Sequence, residues 1–110
     1  MTKGPSLVVY PAKDLDSEKK LFQELIGSEP YADAPYYVGF KSGDVEIGLD
    51  PRGSTNGPLA YWAVDDIRGT LQKLVDAGWQ PDQDVRSVGG TRQIATVKDA
   101  NGNTIGLMQD

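Results

Sequence analysis

Few residues in this chain can do chemistry, and the missing types are as informative as those present. There is no His and no Cys among the 110 residues. That removes the commonest general base, the commonest transition-metal ligand, thiol nucleophiles and zinc-thiolate sites together. Carboxylates, lysines, hydroxyls and tyrosines remain. The adjacent acids Asp65-Asp66 stand just before an apolar-periodic segment, where a carboxylate caps a helix and is stabilised there without any further role. Ser6, Ser28, Ser42, Ser54 and Ser87 fall at predicted strand ends or turns, where bonding to the local backbone accounts for them. A Ser or Thr nucleophile would need Lys, Asp or Glu as its base. Gly89-Gly90 is too short for a phosphate loop and no helix follows it. Glu46 and Asp50 flank Gly48 with the same strand parity, so they can edge a site centred there. Tyr37 and Tyr61, on predicted strands, are candidates to line a pocket.

Composition narrows the partners. The 11 basic and 16 acidic side chains give a net charge of −5, which disfavours nucleic acid and anionic membrane, and no run of Lys or Arg opposes that. No window approaches a membrane span, and the first residues lack an apolar signal core. The expectation is a cytoplasmic protein with one domain over residues 1–110. No nucleic-acid or membrane partner is expected.

Periodicity supplies the elements that must position these residues. Ser6–Tyr10 reads as a strand, with Val8 and Tyr10 on one side and Leu7 and Val9 on the other. Asp16 or Ser17 is expected to cap a helix to Ile26, with Leu21, Phe22, Leu25 and Ile26 as its apolar stripe and Gly27 as its stop. Residues 28–35 form a connector with at most a short strand near Tyr31. Strands at 36–40 and 45–49 flank a turn at 41–44. The breaker-rich segment 51–58 is read as a linker. The second half repeats the order: a strand at 59–64, a helix at 67–77 with Ile67, Leu71, Leu74 and Val75 inward and Gly78 closing it, and a connector at 79–84 with room for a short strand. A glycine loop at 85–91 and strands at 92–97 and 104–108 complete it. The parity of the 92–97 strand is open, so Arg92, Gln93 and Asp84 are unplaced polar candidates. Lys13-Asp14-Leu15 matches Asp65-Asp66-Ile67 in order, as Gly27 to Pro30 matches Gly78 to Pro81 and Ile47-Gly48-Leu49 matches Ile105-Gly106-Leu107. Three such matches suggest an internal repeat. The fold class is α+β, two βαβββ modules at about 6–50 and 59–109.

Ala63-Val64-Asp65-Asp66-Ile67, Asp76-Ala77-Gly78 and the stretch from Asp99 through Asn101-Gly102-Asn103 to Ile105-Gly106-Leu107 resemble the vicinal oxygen chelate superfamily. That group includes glyoxalase, extradiol dioxygenases, fosfomycin-resistance enzymes and bleomycin-binding proteins. The resemblance implies curved mixed sheets around a shared cavity, with helices outside. Metal-dependent members place ligands at the start of each module's first strand and on its last strand. Carried over by position, those places are Leu7, Gly48, Leu59 and Gly106, none of which can coordinate a metal.

The expected function is therefore metal-independent binding of a small organic molecule, aromatic or cationic, by a homodimer without cofactors. Its cavity would be floored by Gly48 and Gly106, whose missing side chains leave space, and walled by Leu7, Val9, Tyr37, Leu59, Tyr61 and Met108. Two alternatives are a divergent lyase or isomerase using a carboxylate such as Glu46, and a non-catalytic structural subunit whose interior is filled by Tyr37, Tyr61 and Met108. Fold-level analogy does not separate the three.

Overall fold

Alternation along a strand sends successive side chains to opposite faces of a sheet, and here it separates a helix-covered face from a helix-distal one. The computed structural model describes residues 2–53 and 57–110. Its elements are β1 (Thr2–Pro11), α1 (Leu15–Ile26), β2 (Ala32–Ala34), β3 (Tyr37–Ser42), β4 (Val45–Asp50), β5 (Leu59–Val64), α2 (Ile67–Asp76), β6 (Gln80–Ser87), β7 (Gln93–Lys98) and β8 (Thr104–Gln109). These are two consecutive βαβββ modules of the expected α+β class. In the first, β1 runs parallel to β4, and β3 is antiparallel to both β4 and β2. The second repeats this: β5 is parallel to β8, and β7 is antiparallel to both β8 and β6. Of the expected linker 51–58, residues 54–56 lie outside the described residues, Ser54 among them.

The chain divides into two compact units, Ser6–Leu59 and Ala60–Asp110, the latter joined by the N-terminal residues through Pro5. β1 thus starts earlier than its β-branched run suggests. The Thr2 hydroxyl donates to the Ala63 carbonyl at 3.2 Å and the Lys3 ammonium pairs with Asp65 at 2.8 Å, so these residues fold with the C-terminal unit.

In the N-terminal unit, Val38, Phe40 and Leu49 are almost wholly buried with Ala12, and Tyr10, Leu15, Phe22, Ile26 and Ile47 pack against them. Tyr10 and Phe22 meet with ring centroids 5.0 Å apart. The expected stripe on α1 is corrected here. Leu21 and Leu25 are exposed, at 60% and 79%, because each stands one residue, about 100° of helix rotation, before a core residue. Leu15, Phe22 and Ile26 already fill the inward arc. The helix also starts earlier than expected: Asp14, not Asp16 or Ser17, is the cap, and its carboxylate accepts the Ser17 N–H at 3.2 Å. Gly27 ends the helix at φ +80°, a conformation glycine adopts without strain.

In the C-terminal unit, Val64, Ile67, Ala95 and Leu107 form the buried core beneath Leu71, Leu74 and Val85. Asp66 caps α2, its carboxylate accepting the Gly69 N–H at 3.1 Å, so the paired acids divide into a cap and the ion-pair partner of Lys3. The register Ala95↔Leu107 and Thr96↔Gly106 settles the open parity. Ala95 and Val97 face the helix, while Ile94 and Thr96 face away. β6 is an eight-residue strand, longer than the short strand expected at most within the 79–84 connector, and it runs on into the expected loop. Its polar sequence and two register irregularities erase the alternation that would reveal it. Buried Thr96 holds this strand, accepting the Gln83 N–H at 3.1 Å and donating to Asp82 at 2.9 Å.

The turn into β8 is organised by one carboxylate. Asp99 accepts the backbone N–H groups of Asn101 and Asn103, at 2.9 and 2.8 Å, and the Asn103 side-chain amide at 2.9 Å. Those bonds, led by the Asn103 side chain, hold its pKa below the carboxylate value of 3.8. A depressed folded pKa stabilises the fold above the unfolded value, and that contribution is lost as pH falls through the folded value. Asp99→Ala is expected to lower the melting temperature at pH 7. The gap from the parent protein should close as pH drops below about 3.8, followed by thermal denaturation across pH 2–7.

Candidate functional site

The helix-distal face of the N-terminal sheet is assembled by pairing. Gly48 on β4 is flanked by Val9 on β1 and Gly39 on β3, and Glu46 is flanked by Leu7 and Lys41. Leu7, Val9, Tyr37 and Gly48 therefore share one face, as their parity predicts. On the corresponding face of the C-terminal unit, Tyr61 lies beside Gly106 and Ala63 beside Met108, while Thr96 and Ile94 border them from β7. Leu59, half-buried at the start of β5, falls on the same side as Tyr61 by alternation.

The space expected over the two glycines is not open. A Cβ on Gly48 would overlap the Tyr37 hydroxyl and lie 2.8 Å from its Cζ. A Cβ on Gly106 would overlap the Tyr61 ring, lying 2.6 Å from Cε1 and 2.7 Å from Cγ. These separations are shorter than non-bonded carbon contacts allow. Each missing side chain is thus a seat for an aromatic ring. Gly39 is a third such seat: a Cβ there would lie 2.8 Å from Cζ of Tyr31.

Tyr31 is the residue that sequence reasoning missed. Two prolines nearby mark its segment as a connector, yet its N–H donates to the Gly39 carbonyl at 2.9 Å and its ring crosses β3. Its hydroxyl then donates to Glu46 at 2.6 Å. The Lys41 ammonium lies 5.9 Å from the centre of the same ring, which is 52% exposed. In the C-terminal unit the face is drier, with Tyr61, Ile94, Thr96 and Met108 all buried. Arg92, just before β7, binds Asp110 at 2.6 and 3.1 Å, which lowers the Asp110 pKa chiefly through hydrogen bonding. A separate open hollow of about 670 Å³ lies by the start of α1 and includes Asp14, Asp16, Asp33 and Val38, none of them a predicted ligand contact.

This chain belongs to the glyoxalase/bleomycin resistance protein/dioxygenase superfamily, whose family model matches residues 5–107. Among solved structures it is similar to a superfamily member from Vibrio splendidus 12B01, at 16% identity and a TM-score of 0.73, covering 100% of this chain and 99% of that one. It is also similar to methylmalonyl-CoA epimerase from Mycobacterium tuberculosis, at 15% identity and a TM-score of 0.76, covering 98% and 88%. A Streptomyces coelicolor methylmalonyl-CoA epimerase variant in complex with 2-nitronate-propionyl-CoA gives 14% identity and a TM-score of 0.76, covering 100% and 99%. At such identities the likeness speaks for the fold. Comparison with curated proteins returns no match.

The metal bound by metal-dependent members does not fit the residues present here. The carried-over positions hold two leucines and two glycines, and tyrosine atoms occupy the places where side chains at Gly48 and Gly106 would begin. Among the described residues, no three His, Cys, Asp or Glu side chains gather as a metal-ligand set.

The two glycine seats differ in how they would tolerate a side chain. At Gly48 the obstacle is the end of the Tyr37 side chain, which can swing aside. At Gly106 it is the base of a buried ring. Gly106→Ala is expected to cost ~1–3 kcal/mol through overpacking and Gly48→Ala less than ~1 kcal/mol. Adding Tyr61→Ala to Gly106→Ala should give a strongly non-additive double mutant. Denaturant unfolding of the four proteins measures both effects, and equal costs at the two glycines would contradict the packing described.

Proposed function

We propose that this protein binds a small aromatic organic molecule without a metal, as a drug-sequestering member of its superfamily. The observation that carries this reading is the replacement of the metal-ligand side chains by glycines with tyrosine rings seated on them. A ring seated on a glycine presents a flat apolar surface with a polar hydroxyl at one end, which suits stacking and orients a ligand. Leu7 and Val9 extend that surface, and Glu46 supplies a charge. In this reading the protein acts as a homodimer in the cytoplasm and uses no cofactor.

A second reading, a structural subunit without a ligand, is favoured by the C-terminal unit, where Tyr61 and Met108 are buried. A lyase or isomerase would have to work through a carboxylate such as Glu46 on the N-terminal unit's helix-distal face.

A thermal-shift screen of aromatic compounds, run with and without a chelator, separates these readings. Saturable stabilisation is expected with at least one compound and should be indifferent to the chelator. It should reach ~2.7 kcal/mol at a hundred-fold excess over Kd. Tyr37→Ala should weaken that ligand by ~0.5–1.5 kcal/mol, the usual worth of a stacked aromatic pair. A large saturable rise with zinc, nickel, manganese or iron alone would overturn the metal-free reading. Silence across the aromatic panel would favour the structural subunit.

A further inference from the structure

Gly39 and Gly48 are direct cross-strand partners, and each carries a tyrosine, Tyr31 on the first and Tyr37 on the second. Two phenol side chains therefore sit on seats about 5 Å apart on neighbouring strands. Glu46 stands two residues before Gly48 on the same face, its carboxylate held by the Tyr31 hydroxyl at 2.6 Å. Directly opposite Glu46 is Lys41, whose ammonium already lies 5.9 Å from the centre of the Tyr31 ring. Aromatic rings attract cations to their faces, and a carboxylate alongside supplies the compensating charge. The chain's own ammonium occupies the position such a ligand would take.

Resting on the binding function proposed above, we propose that Tyr31, Tyr37 and Glu46 form a site for an organic ammonium ion, with Lys41 as an intramolecular competitor. Lys41 is exposed, so moving it aside gives up a surface cation–π contact, which is small. A ligand that joins a fixed positive charge to an aromatic ring gains on two counts. Its charge replaces that of Lys41, and its ring adds stacking area that a lysine lacks. The acidic protein, at −5, also raises the local concentration of cations. The site therefore discriminates by charge, and its affinity is set by how firmly Lys41 holds its place.

The test is a titration of benzyltrimethylammonium, with benzyl alcohol as the neutral probe, into the parent protein, Lys41→Gln and Glu46→Gln. Amide chemical shifts give the affinities. The cation is expected to bind more tightly than the alcohol. Lys41→Gln should tighten the cation about two- to five-fold and leave the alcohol unchanged, which is the effect of removing an exposed cation–π competitor. Glu46→Gln, which keeps an acceptor for the Tyr31 hydroxyl, should weaken the cation by at least a similar factor. If Lys41→Gln leaves cation binding unchanged or weaker while the alcohol still binds, the ammonium site is wrong and the binding function stands. If neither probe binds any of the three proteins, and the aromatic screen is silent as well, both fail together.

Discussion

A tyrosine ring laid over a glycine is the contact on which the helix-distal faces of both modules depend. A glycine within a strand gives up side-chain packing and raises the entropic cost of ordering the backbone. A ring that covers it restores buried apolar area and screens the neighbouring ladder bonds, which is why such pairs recur in sheets. Here the arrangement occurs at Gly39, Gly48 and Gly106, all three of them buried. Two of these are the positions where metal-dependent relatives carry a ligand. A carboxylate at either would introduce charge and also displace a ring, so a metal ligand and the tyrosine packing exclude one another at these positions.

Charge plays a smaller part in holding the fold. The Lys3–Asp65 pair leaves 64% and 76% of its side chains exposed, and such pairs contribute little because water and salt screen them. Stability rests on the two helix-covered cores and on satisfied polar groups. Among the described residues, no buried side-chain nitrogen or oxygen lacks a partner. Thr96 shows how this is achieved: its hydroxyl, buried on the helix-distal face, is bound by both Gln83 and Asp82. That pair of bonds also secures the irregular β6, an edge strand whose sequence alone has little reason to stay paired. The bulges, Pro81 and the acids of β6 guard the edge against unwanted pairing.

What could be read from the sequence was what period and parity encode. Element order, the two helix caps at Asp66 and Gly27, and the shared face of Leu7, Val9, Tyr37 and Gly48 all follow from short-range patterns that a strand or helix must obey. What could not be read depends on reach or on phase. Tyr31 belongs to a proline-flanked connector, and only the length of its side chain brings it across β3 to Glu46. Gly48 and Gly106 looked like vacancies because parity gives a side chain's direction and is silent about a neighbour leaning over. The stripe on α1 was drawn too wide, since Leu21 and Leu25 lie beside core residues in sequence but a hundred degrees away around the helix. β6 was drawn too short for the opposite reason, since its irregular register leaves little period to follow.

The two modules share a pairing scheme but fill their equivalent glycines differently. In the C-terminal module Tyr61 is the direct parallel neighbour of Gly106, so the base of its ring is committed to the seat and the side chain is buried. In the first module the residue at that place is Val9, too short to cover Gly48, and Tyr37 fills the gap from the other flank with the end of its side chain. A contact made by a terminal hydroxyl can be remade with modest motion, whereas one made by a ring base cannot. Tyr31, Glu46 and Lys41 add exposed polar and aromatic groups to the first module's face, where the second has buried Ile94 and Met108. The helix-distal face of the N-terminal unit is thus the more polar and exposed one, and that of the C-terminal unit the drier one. A ligand that needs a counter-ion and some accommodation would find both on the N-terminal face.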